Sequence, residues 1–317
     1  VDEEHVGSRG VPAERWGELR PGRIVTRRLD LRPAPLPVAL WANRLFVRGR
    51  VELPLWGGSA GLAEVRCERP LGPDWDLSLR ARLDGLDLSE VPGLGAWLPR
   101  GAVTLGGDLG RVRLSAARLE APGEVNGTLF GGALTVNHVF ALRPFSDSRE
   151  AGCRVAARGV DLEPLSRAAD FGRVTGRVDV TLDDLVVAYG QPASLDLTVQ
   201  TSEPDDFDKE VSLKAVDNLS VLGTGSGIGD LGVGIFSSFF KEFSYDRIGF
   251  RCTLNNDSFQ LRGLIHRGGL EYLIKKPLFT GINVINRSPE SGVSFSDMLD
   301  RVKRVTDQGA AGPQISM

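Results

Sequence analysis

The sequence predicts a mainly β fold: an elongated antiparallel sheet, built from repeats and curled into a groove, with a few short helices and a helical C-terminal element. Three observations lead to this prediction. The 317-residue chain repeats itself about 74 residues apart, several segments alternate apolar with polar residues, and Gly is frequent, at 39 residues. Stacked copies of one unit form an extended body. Alternation with frequent Gly is typical of short strands joined by tight turns.

The repeat runs without a gap through two copies, the first beginning near residue 38 and the second near residue 112. The matching positions include Val38 and Val112, Arg44 and Arg118, Gly49 and Gly123, Gly58 and Gly132, Arg69 and Arg143, Gly85 and Gly159, and Asp87 and Asp161. One structural unit is therefore expected twice, with matching residues in matching conformations.

Period-two alternation marks the strands. It is cleanest in residues 77–83, 178–183, 195–200 and 211–215. Successive side chains of a strand point to opposite faces of the sheet, so each segment has one apolar and one polar face. This pattern is typical of an antiparallel sheet with a single covered side.

Turn and capping residues separate the strands. The Gly pairs at 57–58, 106–107, 131–132 and 268–269 predict turns, because Gly reaches positive φ without a Cβ clash. Asp87 and Asp161 predict N-caps of short helices over 87–98 and 161–171. Further helices are expected over 228–243, which is rich in Phe, and from Phe295 to about residue 305.

Composition argues against catalysis and nucleic-acid binding. Lys and Arg number 38 against 41 Asp and Glu, so the chain lacks the positive field that nucleic acid requires. Its three His residues lie far apart, with no carboxylate or Cys at ligand spacing. We expect no enzyme activity, no cofactor and no metal site. We favour three buried thiols at Cys67, Cys153 and Cys252, and a single disulfide between two of them is the alternative.

The apolar face of the predicted sheet is the candidate binding site. The chain has few helices to cover so long a face, and a large uncovered apolar surface is unstable in water unless something occupies it. Acyl chains meet this requirement because hydrophobic burial is non-directional. The predicted lining residues are Leu105, Leu129, Leu134, Val136, Val178, Val180, Leu182, Leu195, Leu197, Val199 and Leu213.

The Phe-rich segment has two interpretations. It is a core helix that plugs the end of a sheet, or an amphipathic helix that contacts lipid or a partner. The contacting residues in the second interpretation are Phe236, Phe239, Phe240 and Phe243. Lys241 is the single cation on its polar face, which argues against strong membrane binding.

Several segments resemble the AsmA-like superfamily of Gram-negative envelope proteins, including YdbH-like chains. They are the Gly-Gly unit at residues 128–136, the Arg-Gly-Val-Asp-Leu-Glu-Pro-Leu segment at 158–165, and the C-terminal stretches 239–250, 261–269 and 282–289. The resemblance covers roughly residues 38–305. It implies the C-terminal portion of a bridge-like protein that conducts phospholipid through the periplasm between the inner and outer membranes. The implied anchor is a preceding segment in the inner membrane, and the implied partners are acyl chains and an outer-membrane or periplasmic protein.

The sequence divides into three predicted regions: a charged segment over 1–23, a repetitive β-groove over 24–222, and a β/helical cap over 223–317. Two functions from different classes are compatible with this organisation. The first is a lipid-conducting module, and the second is a structural or interaction β-solenoid of the cell envelope whose apolar face is dry core. An enzyme acting on envelope polysaccharide is a third, less favoured alternative.

Overall fold

A computed structural model describes residues 11–20, 22, 24–26, 29–31, 34–91, 98–204, 207–224, 242–279, 281–286 and 293–297. The fold is mainly β, as predicted, and most of its strands belong to one large antiparallel sheet with few short helices. The chain divides into two compact units. The first comprises Val1–Leu129, Leu134–Val155 and Val186–Gln191, and the second Phe130–Ala133, Ala156–Leu185 and Pro192–Met317.

The strands before the first α-helix are β1 (Trp16–Leu19), β2 (Ile24–Thr26), β3 (Leu29–Leu31), β4 (Leu36–Trp41), β5 (Arg44–Val47), β6 (Val51–Leu55), β7 (Gly58–Glu68), β8 (Asp76–Asp87), β9 (Val103–Ser115), β10 (Arg118–Leu129), β11 (Gly132–Leu142) and β12 (Glu150–Asp161). Those after it are β13 (Arg177–Ala188), β14 (Gln191–Thr201), β15 (Glu210–Ser212), β16 (Glu242–Ser244), β17 (Arg247–Asn255), β18 (Ser258–Gly263), β19 (Ile265–Arg267), β20 (Leu270–Lys275), β21 (Val284–Asn286) and β22 (Val293–Ser294). Among the described residues, the helices with bounds are α1 (Leu162–Ala168), α2 (Leu213–Thr224) and the 3₁₀ turns Ala13–Arg15 and Leu88–Glu90, and residues 295–297 are also helical.

In the first unit the sheet is a meander of antiparallel neighbours. β1 pairs with β4 and β4 with β5, and both β5 and β6 pair along β7. β7 then pairs with β8, β8 with β9 and β9 with β10. Consecutive pairing of this kind needs only short connections, which the positive-φ turns provide.

In the second unit β17 is the central strand. It pairs with β14, β18 and β20, while β20 also pairs with β19 and β21, and β18 with β22. Two short pairs are separate: β2 with β3 in the first unit and β15 with β16 in the second.

The two copies of the repeat fold alike. Matching hairpins have two-residue turns at Trp56-Gly57 (φ 44° and 76°) and at Phe130-Gly131 (φ 44° and 80°). Later in each copy, Gly85 and Gly159 both have positive φ, at 61° and 67°. Since Gly adopts this region without a Cβ clash, Gly is favoured at positions 85 and 159.

Gly85 changes which side chains point inward along β8. The register with β9 shifts between Leu83 and Leu86, so buried positions fall on odd residue numbers before the bulge and on even numbers after it. Around Gly159, which also has positive φ, burial changes from odd to even residue numbers in the same way, since Ala157 and Val160 are both buried. A bulge adds one residue to a strand, and this shift of faces follows from that addition.

A further correspondence between residues 74 positions apart is seen in the backbone conformation but not in the residue identities. Gly110 in β9 has a φ of 70°, and Asp184, 74 residues later in β13, has a φ of 50°. Glu64 and His138 form a second such pair, with φ of 51° and 52°. The 74-residue period therefore continues in the backbone to β13, where the side chains no longer match.

The core of the second unit is a cluster of its own side chains. Tyr245, Val211 and Val216 lie in it with Ile248 and Leu273, all buried, and Leu213, Phe243, Phe250 and Leu261 pack against them. The Tyr245 hydroxyl donates a hydrogen bond of 2.5 Å to the carbonyl oxygen of Thr175, so the polar end of this buried ring is satisfied.

The helix predictions are partly correct. Asp161 caps α1 by accepting a hydrogen bond from the Glu163 amide at 2.9 Å, and Asp87 caps the 3₁₀ turn Leu88–Glu90 through the Ser89 amide at 2.9 Å. α1 ends at Ala168, three residues before the predicted end. Residues 295–297 are helical, as predicted for that start, while 92–97 and 298–317 lie outside the described residues.

Three local predictions are wrong. Gly106 and Gly107 form no turn but lie inside β9, where the backbone of β10 approaches closely. Leu213 was expected on a strand over 211–215, but the strand β15 ends at Ser212 and Leu213 begins α2. Phe243 was expected on the helix 228–243, but it lies on β16, paired with Val211. Over only five residues, period-two spacing does not distinguish a strand from a helix. Tertiary packing decides between the two.

Candidate functional site

The predicted lining residues of the first unit lie on three strands. Leu105 is on β9, opposite Leu86 and Gly127, and Leu129 is the last residue of β10. Leu134 and Val136 are on β11. Leu134 is only 4% exposed, whereas the other three side chains are half-buried. The structure therefore places these four on strands, as predicted, with Leu134 already covered by protein.

The predicted lining residues of the second unit lie on β13, β14 and α2. Val178 is 1% exposed and belongs to the protein interior, while Val180 and Leu182 are half-buried. Leu213, on α2, packs against the core cluster around Tyr245 and so does not extend the sheet face. Phe236, Phe239 and Phe240 lie outside the described residues, and Phe243 packs against the same core cluster.

The three predicted residues of β14 form regular rows with their neighbours. In register, Leu195 lies opposite Leu254, Leu197 opposite Cys252 and Val199 opposite Phe250. β18 continues two of these rows with Phe259 and Leu261, and the third with Gly263. Residues directly opposite in an antiparallel pair share a face, so the rows form one apolar surface across β14, β17 and β18.

Sequence reasoning missed the β17 and β18 members of these rows. Leu254, Cys252 and Phe250 alternate along β17, but their membership depends on a pairing with β14 that spans more than 50 residues of chain. The alternation itself was a usable signal. It marks each strand as two-faced without saying which strand lies beside which.

An equivalent surface in the first unit involves β8, which sequence reasoning identified as alternating but did not include in the site. Leu77 lies opposite Cys67 and Leu114, Leu79 opposite Val112, and Ala81 opposite Leu62. Ala81, Val112 and Ala121 are buried, with Leu62, Leu79, Leu109 and Val139 packed against them. The buried members are small, and the larger Leu side chains of this face are half-buried.

No α-helix covers this face within the described residues of the first unit, whose helical segments are two three-residue 3₁₀ turns. Leu77, Leu79 and Leu83 therefore retain partial exposure on a regular apolar surface. Partly exposed Leu side chains in adjacent rows are the part of the molecule best suited to bind an apolar ligand.

The opposite face is polar, and its charges are paired locally. Glu64 forms ion pairs with Arg80, at 3.2 Å, and with Arg111. On β14 and β17, Asp196 accepts a hydrogen bond of 2.7 Å from Nε of Arg251 and a second from its Nη2. These bonds lower the pKa of the Asp196 carboxyl below its usual range, against the opposing effect of burial.

Two surface depressions are also polar. One, of about 380 Å³, lies in the first unit, and one of about 340 Å³ in the second. Their lining residues include Arg50, Glu52 and Arg82 in the first, and Glu163, Arg173 and Glu210 in the second. In the part of the chain that the structure describes, no group of three or more His, Cys, Asp or Glu residues could hold a metal ion.

The three cysteines are free thiols, and two of them are buried. Burial raises the pKa of Cys252 to about 12, and that of Cys153 is raised for the same reason. A thiol in this environment reacts slowly, so these side chains act as small apolar residues of the sheet.

Among the described residues, no helix combines the length and the apolar character needed to cross a lipid bilayer. Comparison with known protein families, with curated proteins and with solved structures finds no match for this chain.

Proposed function

We propose that this chain is a non-enzymatic lipid-binding module. Its apolar sheet face holds phospholipid acyl chains and conducts them along the rows of apolar side chains. One observation carries the proposal: regular rows of half-buried Leu side chains on the first unit, among them Leu77, Leu79 and Leu83, with no helix over them in its described residues. The resemblance to AsmA-like envelope proteins leads to the same proposal, and with it to a periplasmic location between inner and outer membranes.

The energetics favour an acyl chain over a polar ligand. Each CH₂ group moved from water onto an apolar surface gains about 0.8 kcal/mol. A row of Leu side chains offers contacts to many such groups, but it offers no donor or acceptor that would select a headgroup. The headgroup would remain in water. Binding is therefore expected to depend on acyl chain length more than on headgroup chemistry.

Site-specific photocrosslinking tests the proposal. A benzoylphenylalanine residue at Leu83 lies on the apolar face of the first unit, and one at the neighbouring, exposed Arg82 lies on the polar face of the same strand. We expect phospholipid to crosslink at position 83 and not at 82 when the protein is expressed in a bacterial envelope. Absence of lipid at 83, or equal labelling at both positions, contradicts binding by this face.

A second function, a structural or interaction module with a dry core, is favoured by the second unit. Val178 and Leu254 are 1% and 3% exposed, and the cluster around Tyr245 fills the interior with protein side chains. In this alternative the remaining half-buried residues are simply the margin of a packed core. Native mass spectrometry of the purified chain separates the two functions, since a dry module carries no phospholipid.

A further inference from the structure

Two exposed apolar side chains occupy matching positions of the repeat. Leu71 lies in the loop 69–75 between β7 and β8 and is 89% exposed, and Phe145 lies in the loop 143–149 between β11 and β12 and is 67% exposed. They are 74 residues apart, which is the period of the repeat. Each loop thus places a large apolar side chain in water at its tip, an arrangement that occurs twice.

The two loops are built in the same way. Nε of Arg69 donates to the carbonyl oxygen of Asp74 at 3.0 Å, and Nε of Arg143 donates to that of Ser148 at 3.0 Å. Both arginines also have positive φ, at 48° and 49°. The guanidinium groups therefore close each loop from inside and hold its tip outward.

The loops are neighbours within the first unit. The rings of Trp75 and Phe145 are in tilted contact, with centroids 5.9 Å apart. We call Leu71, Trp75 and Phe145 the loop edge. Its charges are balanced, because Arg69 pairs with Asp74 at 3.5 Å and Arg143 pairs with Glu150.

We propose that the loop edge inserts into the interface of a lipid bilayer. Apolar and aromatic side chains at the level of the headgroups are typical of membrane interfaces. A stable protein partner would bury about 800 Å² on each side around a continuous apolar centre. Two protruding side chains, Leu71 and Phe145, with the half-buried ring of Trp75 beside them and ion pairs nearby, do not provide such a centre. A fluid headgroup layer needs no matching shape.

The charge balance of the loop edge predicts which lipid headgroups it binds. Local ion pairs leave no net positive charge at the loop edge, so attraction to anionic lipid contributes little. Insertion is driven by burial of Leu71 and Phe145. Binding is therefore expected to zwitterionic vesicles, with little change on addition of anionic lipid or salt. This proposal is separate from lipid binding by the sheet face, since either surface can function without the other.

Vesicle flotation tests the proposal. The purified chain is mixed with phosphatidylcholine vesicles, with and without 30% phosphatidylglycerol, at roughly 0.1 and 0.5 M salt, between which electrostatic attraction is strongly screened. We expect the unmodified chain to float with both vesicle types at both salt concentrations. Leu71→Ser and Phe145→Ser should each weaken partition about tenfold, and together about a hundredfold.

Two matched variants serve as controls. Asp147→Ser changes an exposed residue of the same loop without removing an apolar side chain, and Leu270→Ser removes an exposed Leu from the second unit. Both should float like the unmodified chain. Circular dichroism and urea unfolding of every variant exclude loss of folding as the cause.

Several results would overturn the proposal. They are absence of binding by the unmodified chain, binding to anionic vesicles alone that is lost in salt, and unchanged binding of the Leu71→Ser/Phe145→Ser variant. A shift of that double variant from dimer to monomer without vesicles, measured by light scattering, would instead assign the loop edge to a second copy of the chain. Phospholipid retained on the double variant in native mass spectrometry shows that the sheet face is unaffected.

Discussion

The carbonyl oxygen of Trp56 accepts a hydrogen bond from the amide of Asp87 at 2.8 Å. The matching bond in the second copy joins Phe130 and Asp161 at 3.1 Å. In each copy this contact connects a hairpin turn to the end of the strand beside it, one residue before a helical turn begins. In each copy the turn and the capped end of the strand are therefore joined directly by backbone.

Gly132 packs tightly against the neighbouring strand of its copy. A Cβ at this position would lie 2.7 Å from the carbonyl oxygen of Arg158 and from the amide of Val160. Because backbone atoms cannot rotate away, we expect Gly132→Ala to lower the free energy of unfolding by about 1–3 kcal/mol. Urea denaturation measures this loss.

Gly17 provides the matched control for that experiment. It has no atom within 4 Å of its Cβ position and no positive φ. Gly17→Ala should change stability by less than about 0.5 kcal/mol. Equal effects of the two substitutions would contradict the close approach at Gly132.

Asp161 caps α1 through the Glu163 amide. Asp161→Ala removes the acceptor, and we expect a loss of about 1 kcal/mol in the free energy of unfolding. Asp161→Asn keeps an acceptor oxygen at the same place and should lose little. If thermal and urea unfolding show both variants equally destabilised, charge rather than capping is the reason.

The Asp196–Arg251 pair predicts a dependence of stability on pH. Hydrogen bonds from Arg251 lower the pKa of Asp196 in the folded protein. A lowered folded-state pKa contributes stability above the unfolded-state value, about 3.9 for Asp, and this contribution is lost as pH falls through the folded value. The unmodified chain should therefore be more stable than Asp196→Asn at pH 6, and the difference should shrink below about pH 4.

Comparing the unmodified chain with Asp196→Asn separates the contribution of the Asp196–Arg251 pair from that of other acids. The pKa values of Glu68 and Asp87 are also lowered, by hydrogen bonds from Arg44 and from Ser89 respectively, but both acids are present in both chains. Urea midpoints measured between pH 6 and pH 3 give the difference directly. A difference that stays constant over this range would argue against a lowered pKa of Asp196.

Val180 and Thr181 point to opposite faces of β13, half-buried and exposed respectively. If the apolar face binds acyl chains, Val180→Asp should abolish co-purification of phospholipid while lowering stability by about 1–2 kcal/mol. Thr181→Asp should change neither quantity. Native mass spectrometry and urea unfolding report the two effects. Complete unfolding of Val180→Asp would favour the dry-core alternative, because an unpaired charge is not tolerated inside a packed core.

Cys252 is buried, and its thiol pKa is raised to about 12. The thiolate fraction at pH 8 is then on the order of 1,000-fold below that of an unperturbed thiol. A short pulse of N-ethylmaleimide should label Cys252 in denaturant but hardly at all in the native protein. Peptide mass spectrometry identifies the site, and Cys252→Ser confirms the assignment. Rapid native labelling would show that the thiol is accessible.

Much of the fold follows from local pattern. Alternation over 77–83 and 195–200 predicts β8 and β14, and the Gly pairs after Trp56 and Phe130 predict hairpins that the structure contains. Capping by Asp161 is equally local, because the acceptor and donor are two residues apart. The strand positions of most predicted lining residues follow from the same period of two. Their role in lipid binding remains a prediction.

Other features depend on residues far away in the chain. Leu213 alternates correctly for a strand, yet it begins α2 because the core around Tyr245 accepts a helix there. Gly106 and Gly107 resemble a turn, yet they lie inside β9, where the missing side chain of Gly107 lets the backbone of β10 approach. Leu254 joins the row of Leu195 only through pairing of β14 with β17.

By itself the sequence determined the β class, the 74-residue repeat, the hairpin turns and the two capped helical turns, because each depends on conformational preferences within a few residues. The tertiary structure decided which strands are neighbours, which apolar side chains become fully buried, and that the buried face of a strand changes at Gly85 and at Gly159. Pairing and burial are contacts between distant segments, and the period of two is the same for every possible partner.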